Sequence, residues 1–202
     1  MPRAGGYTLI ELLVVIAIIV FTSAAILANT TKFGGEAQLQ NLAYDMALTV
    51  RQAQVYGISV RNNTPNNFLT GYGAYFNASN NTSYRLFSDA NKNGHYDSGE
   101  DVAPSPFTIG KGYTISQLCT YGATTKCDNT TLNLVFIRPE PDAFINPTCT
   151  SQLDGSEGCA PSAFNKACIV VTSPRGDTAG IVVFSNGQIH VGIGSTNNDP
   201  CT

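Results

Sequence analysis

The chain of 202 residues is 43% hydrophobic yet only 12% charged, against about 25% in an ordinary soluble domain, and is rich instead in Asn, Thr, Ser and Gly. With 11 Lys and Arg against 14 Asp and Glu, its formal net charge is −3, which argues against a broad nucleic-acid surface because phosphate binding needs clustered cations. Six cysteines, all beyond residue 118 and none in a C-x-x-C pair, read as disulfides of an oxidising compartment rather than as a zinc site.

Residues 9–28 are about 20 mostly apolar positions, the length a helix needs to cross a hydrocarbon core of roughly 30 Å. One charge interrupts them, Glu11. A carboxylate in hydrocarbon costs at least about 2.5 kcal/mol, so Glu11 calls for a cationic partner. The amino terminus of a neighbouring helix would serve, since neutralising both charges inside an apolar bundle offsets their desolvation. The alternative is a signal-anchor in which Glu11 snorkels to the headgroups. Before the span, residues 1–6 are basic through Arg3 and lack the apolar core of a secretory signal. No Lys or Arg follows until Lys32, so the leader is expected in the cytoplasm and the bulk of the chain outside.

The run Gly6, Tyr7, Thr8, Leu9, Ile10, Glu11, Leu12 and the apolar stretch after it resemble the prepilin leader of type IV pilins and type II secretion pseudopilins. The resemblance implies that prepilin peptidase cuts between Gly6 and Tyr7 and that Tyr7 becomes an N-methylated first residue. Tyr7 stands where that family more often has Phe, and an aromatic ring is kept. The Pro that many pilins carry in the outer apolar helix is missing, with none between Pro2 and Pro65.

Beyond Gly34 and Gly35, which mark a hinge or a fraying point, Leu39, Leu42, Ala43, Met46, Val50 and Ala53 recur at steps of three and four. This predicts an amphipathic helix continuing to Tyr56, stopped by Gly57, with one face packed on a globular domain. Residues 38–60 resemble the GspH/FimT group of minor pilins and pseudopilins, which implies two small antiparallel sheets after the stalk.

Strands are expected at 58–61, 71–77, 83–87, 107–118, 131–137 and 167–172 from alternating Tyr, Phe, Val and Leu. Asn186-Gly187 predicts a two-residue hairpin within 181–191. The stretch 138–166, with Pro139, Pro141, Pro147 and Pro161, reads as irregular and tied by cysteines. Six cysteines allow 15 connectivities. Short loops favour Cys119 with Cys127, Cys149 with Cys159, and Cys168 with Cys201.

No nucleophile or metal-ligand pattern surrounds His95 or His190, the latter expected to be half-buried in a strand. Arg175-Gly176-Asp177 spells a tripeptide used by adhesins, and Ser-Pro-Arg-Gly-Asp is equally a turn. Residues 89–100, DANKNGHYDSGE, fit the calcium loop D-x-[DN]-x-[DN]-G-x₅-E. The fit places side-chain oxygens of Asp89, Asn91, Asn93, Asp97 and Glu100 and the carbonyl of His95 around one Ca²⁺. A strand before the loop, with Pro104 and Pro106 after it, excludes an EF-hand pair. An Asx-rich turn without metal is the competing reading.

The whole predicts an α+β protein: leader 1–6, helix 7–56 spanning the membrane at 9–28, and a β-rich domain 57–202. Its expected role is non-catalytic, as a minor pilin in a type IV pilus or related filament. Expected partners are other pilins, prepilin peptidase and, before assembly, the inner membrane. It is expected to sit there as a single pass with the N-terminus cytoplasmic, then in a periplasmic or cell-surface filament. The alternatives are a minor pseudopilin of type II secretion and a filament-tip binding or DNA-uptake module.

Overall fold

The computed structural model describes residues 6–59, 70–151, 157–160, 163–194 and 199–201. The chain forms two compact units, Met1–Gln38 and Leu39–Thr202.

The helix α1 (Leu9–Ile58) runs without interruption through Gly34 and Gly35. Within the first unit its segment Leu9–Leu27 is 19 residues long, apolar enough to cross a membrane, and has no buried residue. At about 1.5 Å per residue that segment is roughly 28 Å long. Thr22, a polar side chain within it, turns its hydroxyl back onto the Ile18 carbonyl at 2.9 Å, so the span needs no outside partner for it.

In the second unit α1 buries Leu39, Ala43, Met46, Val50 and Ala53, the predicted face. These pack in one core with the inner faces of two antiparallel sheets. The first sheet has the order β3 (Phe107–Thr108), β2 (Ser83–Ser88), β1 (Tyr72–Asn77), β6 (Thr131–Phe136), β7 (Ala143–Ile145). The second has β12 (Ile189–Gly194), β11 (Thr178–Phe184), β10 (Phe164–Thr172), β4 (Thr114–Gly122), β5 (Thr125–Lys126). Alternation supplies the packing. Ala74, Phe76, Leu132, Leu134 and Phe136 project from the first sheet, and Ala167, Ile169, Val171, Ile181 and Val183 from the second. A separate ribbon, β8 (Cys149–Ser151) with β9 (Glu157–Cys159), places Cys149 opposite Cys159.

Several expectations are corrected. Helix α1 ends at Ile58 rather than Tyr56, so Ile58 is helical; the rest of the strand expected at 58–61 falls, beyond Ser59, outside the described residues. Gly57 is not a stop but a contact: a Cβ there would lie 2.3 Å from the Phe136 carbonyl oxygen, so only glycine lets the last turn of α1 approach β6 so closely. The single strand expected at 107–118 is two. The chain turns at Lys111 and Gly112, both with positive φ, because β3 pairs with β2 in one sheet and β4 with β10 in the other. The stretch 138–166 contains β7, β8, β9 and the start of β10.

The β11–β12 hairpin also differs in its turn. Gly187 has φ +79°, Asn186 is not among the residues with positive φ, and Phe184 accepts from Gly187 N–H and donates to the Gln188 carbonyl. This is a longer loop with glycine in the left-handed position, not a two-residue turn with both residues left-handed.

Candidate functional site

At the start of α1, Gly6 and Tyr7 are exposed, and Met1–Gly5 of the leader lie outside the described residues. Thr8 caps the helix: its Oγ1 accepts from the Glu11 N–H at 3.3 Å, and its carbonyl accepts the first helical bond from Leu12 at 3.2 Å. The sequence Thr-x-x-Glu is the capping-box pattern, a signal the reading of the span passed over. The cap fixes Glu11 in the first turn, where the helix N-terminus favours a negative charge. Glu11 and the apolar side chains beyond it are exposed. A carboxylate is thus held one turn from residue 7 on a bare hydrophobic helix.

The loop 89–100 lies against the first sheet. Asp89 is fully buried, and its two carboxylate oxygens accept from the N–H groups of Asn93 at 3.1 Å and Gly94 at 2.5 Å. Glu100 closes the loop by accepting from Ala90 and Asp97 N–H at 2.9 and 3.0 Å. The side-chain amides of Asn91 and Asn93 both donate to Asp97 Oδ2 at 2.7 Å and hold its carboxyl below the usual range. Burial raises Glu100, against the pull of the Asp97, Asn91 and Ala90 N–H groups. His95 turns its ring Nδ1 to the Asn133 amide nitrogen at 3.2 Å.

Among the described residues, no group of three or more His, Cys, Asp or Glu is gathered to hold a metal. The donor set is all oxygen, which suits a hard cation, but its oxygens are engaged by the loop's own N–H groups.

Two residues outside the motif dock this loop. Asn133, buried in the middle of β6, accepts from Tyr96 N–H on its side-chain oxygen at 3.0 Å, donates its own N–H to Asn146 Oδ1 at 2.8 Å and accepts from Asn146 N–H on its carbonyl at 2.8 Å. A polar residue inside the apolar run Thr-Leu-Asn-Leu-Val-Phe was the available signal. Gly94, with φ +81°, lies against the Cys149–Cys159 ribbon; a Cβ there would be 2.5 Å from Cys149 Sγ. The ribbon and the loop therefore support each other, with Asn93 O accepting from Cys149 N–H at 3.3 Å.

Next to the loop, Asp101 accepts from Arg85 Nη1 at 2.9 and 3.0 Å, from Tyr96 Oη at 2.9 Å and from Ser105 Oγ at 3.0 Å. Burial pushes its carboxyl up, but the bonds from Arg85, Tyr96 and Ser105 outweigh that and hold it below the usual range.

The cysteines form Cys119–Cys127, Cys149–Cys159 and Cys168–Cys201. Cys119 and Cys168 are cross-strand partners on β4 and β10, so two bridges sit side by side on the outer face of the second sheet with Val170, Val182 and Phe184. His190, expected half-buried, is exposed on β12. Arg175-Gly176-Asp177 closes the β10–β11 turn, where Ser173 N–H donates to the Asp177 carbonyl at 2.8 Å.

Fold and N-terminus together define a membrane-anchored α+β protein whose long helix carries an exposed apolar half behind a short leader. Residues 1–27 match the family model described as the prokaryotic N-terminal methylation motif. That match supports a type IV pilin-like protein, a substrate of prepilin peptidase that assembles with other pilins. Neither the curated proteins nor the solved structures give a match.

Proposed function

We propose that this chain is a structural, non-catalytic minor pilin of a type IV pilus or related filament. Cleavage between Gly6 and Tyr7 frees the amino group of Tyr7, which is methylated. Subunits then leave the inner membrane by packing the apolar half of α1 side by side, with Glu11 of one meeting the Tyr7 amino terminus of the next. The observation that carries this is the methylation motif running directly into a Thr8-capped helix with Glu11 in its first turn. Mass spectrometry of sheared filaments is expected to find N-methylated Tyr7 as the first residue. Gly6→Val should block cleavage, and Glu11→Val should leave the protein cleaved and membrane-bound but poorly incorporated. An intact Met1 or Pro2 terminus in filaments would refute the reading.

We further propose that the loop 89–100 takes Ca²⁺. Asp97 Oδ2, on which two side-chain amides converge, is the carboxylate oxygen for which a cation would compete with them. Asp89, Asn91, Asn93, Asp97, Glu100 and the His95 carbonyl would hold it. A site in a surface loop without flanking helices should bind at about 10⁻⁴–10⁻³ M. At ten times the dissociation constant, stability should rise by roughly RT ln 11, about 1.4 kcal/mol. A melting temperature that is the same in millimolar calcium and in chelator, with no heat on titration, would leave the loop an Asx-rich turn.

A further inference from the structure

A sheet edge is where a β-domain is open to another chain, and natural sheets blunt their edges with short strands, bulges, Lys or Pro. The first sheet has short edges, two residues in β3 and three in β7, and one edge of the second is the two residues of β5. Its other edge is β12, six residues in unbroken register with β11 and without Lys or Pro. Residues of an antiparallel strand alternate between those bonded to the partner and those turned away from it. Phe184 N–H bonds to the Gln188 carbonyl at the hairpin, so in the same register His190, Gly192 and Gly194 bond to β11. The N–H and C=O groups of Ile189, Val191 and Ile193 therefore point out of the sheet, along a strip of roughly 20 Å. Ile193 is 55% exposed. A groove of about 390 Å³ borders the strip, walled by Tyr44 and Leu48 of α1 and by Ile189 and Val191. The side chains in it that carry or can take a positive charge are Arg51 and His190, both exposed, and among the described residues no carboxylate lines it. Arg51 Nη1 donates to the neutral side chain of Gln54, and among the described residues Arg51 takes part in no ion pair.

We propose that the free edge of β12 docks an extended, acidic segment of another protein, which joins the second sheet as a further strand. Main-chain bonds to Ile189, Val191 and Ile193 supply the affinity that is common to any extended peptide. Side chains supply the choice. On the face of the added strand turned to α1, apolar groups meet Tyr44 and Leu48, and a carboxylate meets Arg51. On the opposite face, level with His190, a second carboxylate meets the imidazole. A basic segment would bring like charge to both positions, which selects against it.

The test is amide hydrogen exchange of the full-length chain in detergent, read residue by residue, with the synthetic peptide Thr-Val-Glu-Val-Glu-Glu-Val-Thr as probe. In a strand this peptide presents valine and glutamate on both faces. The peptide is expected to slow exchange at Ile189, Val191 and Ile193, while His190, Gly192 and Gly194, already bonded to β11, change little. Its counterpart with lysine for glutamate should bind at least about tenfold more weakly. Ile193→Pro removes one outward N–H at a position where an edge strand tolerates proline, and should weaken binding by about tenfold. Arg51→Glu should weaken it by about fivefold and narrow the preference for the glutamate peptide over the lysine one. Both positions are exposed, and an unchanged slow exchange of Ile181 N–H in the core shows that each variant is folded. Protection absent at millimolar peptide, protection that does not alternate along β12, or equal binding of the two peptides would overturn the proposal. So would slowing of the same three amides as the chain alone is concentrated, which would assign the edge to a second copy of this protein.

Discussion

Removing the Cys168–Cys201 bridge should destabilise the β-domain more than removing Cys119–Cys127. The first closes 33 residues of chain and the second 8, and a crosslink stabilises mainly by restricting the unfolded chain. The loop-length relation gives about 3.7 and about 2.5 kcal/mol respectively. The structure adds to the difference. Cys201 anchors a segment whose Pro200 carbonyl lies where a Cβ on Gly180 or Gly192 would come within 2.4 Å, and whose Cys201 carbonyl accepts from Lys166 Nζ at 2.8 Å. Freeing it uncovers Val170 and Val182 of the small outer cluster. Cys→Ala pairs at each bridge, in the full chain in detergent, can be unfolded in urea and followed by the near-ultraviolet signal of the tyrosines, which the apolar half of α1 does not dominate. With a slope of about 2 kcal/mol/M, the midpoint should fall by about 1.9 M for Cys168–Cys201 and about 1.2 M for Cys119–Cys127. Equal shifts, or a larger one for the shorter loop, would refute the argument from chain entropy and tail docking.

Two glycines of α1 should respond with opposite sign: Gly34→Ala, with nothing within 4 Å of the added Cβ, should stabilise the helix by up to about 1 kcal/mol, whereas Gly57→Ala should destabilise by about 1–3 kcal/mol. Thermal melting of the two variants decides it, and a neutral Gly57→Ala would mean that the last turn moves off β6 freely. The Asp101 carboxyl is held below its usual range in the fold, so its stabilisation is present above the unfolded pKa and is lost as pH falls through the folded one. Asp101→Asn should therefore lower the melting temperature at pH 7, by the equivalent of no more than about 1 kcal/mol given its partial exposure, and the gap should close in strong acid. A gap independent of pH would assign the effect to packing.

Period and composition determined much of this protein before any tertiary contact. The apolar run behind Gly6 and Tyr7, with its lone Glu11, and the stripe from Leu39 to Ala53 are local patterns, and local patterns survive in a linear reading. The calcium-like spacing of 89–100 was legible for the same reason, since each of its oxygens comes from within twelve positions. Only the tertiary structure decided where those patterns meet. Gly57 reads as a helix stop in sequence, yet its role is set by Phe136, 79 positions away in the chain. Gln54 sits in the helical stripe as an apparent irregularity; buried, it donates to the Pro141 and Gly187 carbonyls at 2.7 and 3.0 Å and ties α1 to two distant turns. Asn133 docks the acidic loop by bonds that no spacing announces. The segment 107–118 has one continuous strand-like composition, and its break at Lys111 and Gly112 follows from the two ends pairing with different sheets. Periodicity reports which residues face inward, whereas the identity of what they face depends on loop closures over tens of residues, which composition does not encode.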